Sequence, residues 1–228
     1  MGGRGSSSGK NGIGYTATKI IGQGGAEIDL TDTPLRYTGN DAAITGKARE
    51  VLEAQEKKRL EAAVEYAYGV DADGNVIGEK RGGKASCAVP YNLWVDGGTL
   101  THNHPRTGDE KGTLGGTFST ADIKGLVAYD VRTMRASAAE GTYSITKSKN
   151  FNGNGLISYR RQLERSANAA AKQKVQEAGE RYKRGEISQT QLMSVAKKAS
   201  NAALVSIHNG LIAGQSTYGY TYTLERRA

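Results

Sequence analysis

The spacing of apolar residues changes from zone to zone along this chain, and those changes mark its elements. Residues 1–40 keep no sustained period: Gly, Ser and Thr dominate and apolar residues are scattered. That zone is expected to be flexible or loosely attached, with one short strand around Ala26 to Leu30. From Asp41 to Tyr68 the pattern predicts a helix. Asp71-Ala72-Asp73-Gly74-Asn75 is a turn signal, and Val76 to Arg81 reads as a short strand after it. Leu93 to Asp96 reads as strand, Gly97-Gly98 as turn, and a second strand then runs into His102. Ser119 has the character of a helix N-cap, with Ala121 to Val127 as the first turns. An antiparallel pair, Thr133 to Ala138 and Thr142 to Lys147, folds about Ala139-Glu140-Gly141.

Beyond residue 150 the period becomes helical. One helix is expected from about Ile157 to Lys183, a turn at Arg184-Gly185-Glu186, and a second helix opened by the capping box Ser188-x-x-Gln191. That helix should end near Gly210 or Gly214, and the alternating tail Thr217 to Leu224 should add an edge strand. The expected fold class is α/β: a mixed sheet flanked by helices, with a C-terminal helical hairpin extension. The expected organisation is a flexible segment over 1–40, an α/β domain over 41–150, and a basic helical extension with a short strand over 151–228.

The chemistry concentrates in Thr101-His102-Asn103-His104-Pro105 and Phe118-Ser119-Thr120-Ala121-Asp122. Side chains two apart on a strand share a face, so His102 and His104 should present both rings to one point while Asn103 faces away. Asp122 falls in the first turn of the Ser119-capped helix, where a carboxylate suits the dipole and can reach a nearby cation. Two His and one carboxylate leave a position open on zinc, which is the catalytic pattern rather than the structural one. Glu79, at the end of the Val76 strand, is the candidate general base for a water whose pKa falls to about 7 in such sites. Ser119 is the candidate hydrogen-bond donor to the oxyanion of a tetrahedral intermediate.

A Glu on an early strand, then His-x-His-Pro, then Ser-x-x-Asp, resembles the JAMM (MPN-type) zinc metallopeptidases, most closely the RadC-like and phage-encoded JAB-type branch. The matching positions are Glu79, His102, His104, Ser119 and Asp122. The resemblance implies a JAMM-like domain over about residues 40–150, with Zn2+ held by His102, His104 and Asp122, Glu79 as base and Ser119 as oxyanion partner. It implies hydrolysis of a peptide or isopeptide bond, with a protein or peptide substrate such as a ubiquitin-like conjugate or a virion protein. One departure stands out: Arg106 to Thr117 lengthens the gap between the second His and the Ser. That polar, Gly-rich insertion reads as a loop at the cleft mouth. The letters His-Asn-His also suggest an HNH nuclease, but in that fold the residues come from separate parts of a ββα element.

Composition narrows the remaining choices. The chain has 228 residues, 37% of them hydrophobic and only 7% aromatic, with 31 Gly, so part of it is expected to lie outside a packed core. Its one cysteine, Cys87, sits in an apolar run and reads as a buried, inert thiol; it excludes an internal disulfide and a cysteine zinc cluster. No apolar run is long enough to span a membrane, and the N-terminal ten residues have no secretory h-region. Met1-Gly2-Gly3-Arg4-Gly5-Ser6 fits a myristoylation pattern nominally but reads as a tail, and Gly9-Lys10 lacks the flanking residues of a phosphate loop. A cytoplasmic or virion-associated location is expected. The net charge is +8, and between Gly155 and Ser200 ten Lys or Arg face four Glu. A basic hairpin of this kind serves nucleic acid or an acidic partner, as in a non-catalytic phage assembly protein, or is a solvated face; the absence of stacking aromatics favours the solvated face. His208, among Ala203, Leu204, Val205, Ile207 and Leu211, reads as a partly buried helix residue.

Overall fold

The computed structural model describes residues 14–226. In chain order its elements are β1 (Tyr15–Ala17), β2 (Lys19–Ile21), β3 (Glu27–Asp29), β4 (Leu35–Tyr37), α1 (Gly46–Lys58), β5 (Tyr66–Val70), β6 (Val76–Arg81), β7 (Thr99–Asn103), α2 (Thr120–Ala128), β8 (Thr133–Ala138), β9 (Gly141–Lys147), α3 (Gly153–Lys183), α4 (Gln189–Ala213), α5 (Gln215–Tyr218) and β10 (Tyr220–Glu225). The fold is α/β. Its organising unit is a six-stranded sheet in the order β10-β9-β8-β7-β5-β6, parallel only between β7 and β8. The β7-to-β8 connection carries α2, as a parallel crossover requires.

Strand alternation sorts the sheet into two chemically different faces. Leu100, Met134, Ile145 and Tyr222 share one row, and His102, Ala136, Tyr143 and Leu224 the next. This face is apolar and joins one hydrophobic cluster with Ile123 and Leu126 of α2, Leu156 of α3 and Val205, Ile207 and Leu211 of α4. Within these two rows His102 stands among aliphatic and aromatic residues. The other face carries the row Thr101, Arg135, Ser144 and Thr223. Here α1 supplies Glu56, which takes Arg135 Nε at 2.7 Å and Nη2 at 3.0 Å and accepts from Thr101 Oγ1 at 2.9 Å. Glu225 of β10 closes the cluster against Arg135 and Arg49. A buried charge is tolerated only with this degree of pairing.

Several sequence expectations hold. β6, the β8–β9 pair, the Ser119 N-cap, the Ser188 capping box and the edge strand β10 all form, and the structure adds a capping box at Ser119. Others change. The helix expected over 41–68 stops at Lys58, and Tyr66–Val70 is instead a strand between β6 and β7. Ala67, Tyr68 and Val70 are buried there, so pairing on both edges overrides the helical pattern. Leu93 to Asp96 is no strand: Tyr91–Leu93 forms a single 3₁₀ turn. Residues 14–40 are not loosely attached, because Ile28, Leu30, Leu35 and Tyr37 belong to the main core. The N-terminal tail and the Gly9-Lys10 near-motif lie outside the described residues.

Candidate metal centre

The centre is built from the end of β7 and the start of α2. His102 lies in β7, and His104 continues the extended chain one residue past it, its amide bonded to Ser137 O at 2.8 Å. Both rings therefore emerge on the apolar face, with Nε2 atoms 2.9 Å apart. Asp122 Oδ1 lies 3.6 Å from His102 Nε2, and the three donor atoms all fall within 4.8 Å of one another. The structure brings the three candidate ligands His102, His104 and Asp122 together.

Neighbouring groups aim each donor. His104 Nδ1 stands 2.9 Å from Gly116 O; a carbonyl only accepts, so Nδ1 carries the proton and Nε2 is bare in the neutral ring. Asp122 is fixed by the capping box: its Oδ2 accepts from Ser119 N at 2.7 Å while its own amide donates to Ser119 Oγ at 3.1 Å, which leaves Oδ1 for His102. Three electron-pair donors thus converge on one point.

The electrostatics reflect that crowding. Burial, the His102 charge and Arg106 lower His104 to about 4, opposed by Asp122 and Gly116 O. Burial opposes the charge on His102 as well, but Asp122, Glu65 and a backbone bond to Arg135 outweigh it and the ring sits above its ordinary value. Burial likewise opposes ionisation of Asp122, yet the charges of His102 and His104 and the bond from Ser119 hold it well below the usual carboxylate range. The donor set, with His102 buried and His104 and Asp122 half-buried, is therefore one anionic and two basic groups, a fit for a metal ion.

The centre opens into a cleft of about 220 Å³ lined by Glu65, Cys87, Trp94, Leu100 and Ser119 among others. Glu79, the base expected from the sequence, is elsewhere. It pairs with Tyr68, which pairs with Thr101, and so belongs to the face covered by α1. Its carboxylate takes Arg59 Nη2 at 2.8 Å. Glu65, immediately before β5, holds the position in the cleft instead. Burial and the charge of Asp122 raise it above the ordinary carboxylate value, against the charges of His102 and Arg106. Its place is fixed from the far face by Asn103, which accepts from Tyr66 N at 2.6 Å and donates to Val64 O at 3.1 Å. The residue between the two His thus clamps both neighbours of Glu65.

Other expected roles resolve by position. Ser119 is the N-cap, its oxygen accepting from Asp122 N, and its side chain lines the cleft beside Asp122. Cys87 is half-buried at the cleft wall rather than sealed in the core, and burial followed by the charge of Glu65 pushes its thiol up. The Arg106 to Thr117 insertion does not stand at the cleft mouth in full: Leu114 to Thr117 are buried behind His104. Arg160 is not part of a solvated face either; it is buried and donates to Phe118 O at 2.8 Å, supporting the residue before the cap. Among the described residues no helix is long and apolar enough to cross a membrane. No protein-family model, curated protein or solved structure matches this chain.

Proposed function

We propose that this chain is a zinc-dependent amide hydrolase, a peptidase or isopeptidase of the JAMM kind, in which Glu65 rather than Glu79 is the base. The observation that carries this reading is the convergence of the two His Nε2 atoms and Asp122 in a cleft that also holds a carboxyl group with a raised proton affinity. Two imidazoles and a carboxylate with an open side suit catalytic zinc, which when bound polarises a carbonyl and lowers the pKa of water to about 7. The same donor set also serves ferrous oxygenases. Glu65 and Ser119 beside it weigh for hydrolysis, because a proton carrier and a hydrogen-bond donor are what amide cleavage needs.

In this scheme Glu65 takes a proton from the attacking water and delivers it to the departing amine. Burial raises its proton affinity above that of an ordinary carboxylate, the direction both transfers require. Ser119 O–H donates to the carbonyl oxygen as negative charge develops there. Trp94, stacked on Tyr129 with centroids 4.5 Å apart, and Leu100 give the cleft a rigid apolar wall against which an extended peptide or isopeptide stem packs.

Metal analysis of protein purified without added metal, followed by amine release from linear peptides and a Gly–εLys isopeptide, tests the proposal. About one zinc per chain and release that Glu65→Gln abolishes are expected. Failure to take up zinc, or hydrolysis untouched by Glu65→Gln, overturns it.

A further inference from the structure

The insertion between His104 and Ser119 ends in Leu114-Gly115-Gly116-Thr117, and its path is tightly constrained. Gly116 has φ +82°, in the left-handed region that favours glycine. Gly115 passes so close to β8 that a Cβ there would collide with the Ala138 side chain. Gly116 O is the acceptor for His104 Nδ1 at 2.9 Å, so the position of this turn sets the tilt of the imidazole and the direction of its Nε2 lone pair.

What holds the turn is Glu140, at the bend between β8 and β9. Its side chain reaches back along the sheet end and is only 3% exposed. Oε2 accepts from Gly115 N at 3.0 Å, and Oε1 accepts from Gly116 N at 2.8 Å and from Tyr143 Oη at 2.9 Å. Two flanking anchors set the preceding residues: Leu114 N donates to Asn201 Oδ1 of α4 at 2.9 Å, and Arg106 donates to Leu114 O and Gly115 O. Only Glu140 grips the residue whose carbonyl touches His104. A carboxylate suits this place because all three of its neighbours are donors, and an amide would turn one N–H against another.

We infer that Glu140 is a positioning residue of the metal centre, acting on His104 through the Gly115–Gly116 turn; the inference rests on the proposed reading of His102, His104 and Asp122 as metal ligands. Glu140 touches neither metal nor substrate. Asn201 of α4, which accepts from Leu114 N, ties the helical C-terminal region to the same turn. The lengthened loop is in this view a brace for a ligand.

The test compares wild type, Glu140→Gln and Glu225→Gln by two readouts: zinc affinity by competition with a chromophoric chelator, and the His104 Nδ1–H resonance of metal-free protein. Glu225 is an equally buried carboxylate on the opposite face of the sheet, so its variant loses stability without touching the turn. Glu140→Gln is expected to weaken zinc binding by about 10–100-fold and to shift or broaden the Nδ1–H signal, with Glu225→Gln unchanged in both. Wild-type affinity and an unshifted resonance in Glu140→Gln overturn the inference. If wild type binds no zinc, the metal reading fails by itself, and the resonance still decides whether Glu140 orients the ring. Should Glu140→Gln not fold, Tyr143→Phe removes one donor and leaves the carboxylate; a smaller shift in the same direction is expected, and an unchanged signal counts against Glu140.

Discussion

The Nε2 atoms of His102 and His104 stand 2.9 Å apart with Asp122 beside them, and a proton or a metal ion must occupy the space where their lone pairs meet. Without metal the proton falls to His102, whose affinity is raised, while His104 stays neutral. A group whose folded pKa lies above its unfolded value stabilises fully below that unfolded value and loses the contribution as pH rises through the folded pKa. Chelator-treated protein is therefore expected to lose thermal stability as pH rises above 6.5, the ordinary histidine value. Zinc-loaded protein should be free of that loss, because the ion replaces the proton. Melting curves across neutral pH, with and without chelator, provide the check; identical pH profiles would mean that nothing but a proton ever binds there.

Glu65 and Glu79 stand on opposite faces of one β-hairpin, so their variants should separate cleanly. Glu65→Gln is expected to keep its metal and lose hydrolysis by about 10²–10⁴-fold, the range for removal of a general base. Glu79→Gln should retain turnover and lose only its partly exposed pair with Arg59, a contact of at most about 1 kcal/mol. Turnover and zinc content of the two variants, measured together, decide the assignment. Loss of activity in Glu79→Gln alone would restore it as the base.

The difference between these two glutamates shows which parts of the site are legible in a sequence. His102, His104, Ser119 and Asp122 depend on local rules: two-residue spacing on a strand and a capping box three residues long. Both operate within a few positions and survive any tertiary context. Glu65 depends on register. Whether Tyr68 faces Glu79 or Lys80 determines which carboxylate reaches the cleft, and a one-residue slip exchanges the faces. The helical pattern over 41–68 also hid β5, although Tyr66-Ala67-Tyr68-Gly69-Val70 has strand-forming residues that could have revealed it. The Arg135 cluster was invisible for a similar reason: Glu56 and Glu225 meet Arg135 only after α1 and β10 have docked.

Ser119 combines a cap with a candidate donor, and Ser119→Ala separates the two roles. Losing the side-chain bond to Asp122 N should cost about 1 kcal/mol of stability. Asp122 still accepts from the backbone amide at position 119, so metal content should hold. If the hydroxyl also stabilises the oxyanion, turnover falls by about 10²–10³-fold, far more than the stability loss explains. Calorimetry and single-turnover kinetics on the same preparation distinguish these outcomes, and a variant that melts earlier yet turns over at the wild-type rate would leave Ser119 as a cap only.

His208 supplies an acid-sensitive contact between α4, β4 and β10. It is 1% exposed, with Nε2 2.8 Å from Arg36 O and Nδ1 2.9 Å from Tyr222 Oη. The carbonyl forces Nε2 to carry the proton of the neutral ring, and Nδ1 faces Tyr222 Oη, whose own hydrogen goes to Thr117 Oγ1 at 2.8 Å. Burial, with the Arg36 charge adding to it, lowers its pKa from 6.5 to about 4. A folded pKa below the unfolded one gives stability that is present above 6.5 and drains away as pH falls toward 4, because the unfolded chain takes up a proton that the folded chain refuses. At about 1.4 kcal/mol per pKa unit, the loss across that window is on the order of 3 kcal/mol. Denaturant titrations of His208→Gln beside wild type isolate this contribution, since His104 titrates in both. The variant should be weaker near neutral pH, where its bonds to Arg36 and Tyr222 are imperfect, and should show a shallower decline on acidification. An unchanged acid slope in His208→Gln would assign the pH dependence to His104 and the metal centre instead.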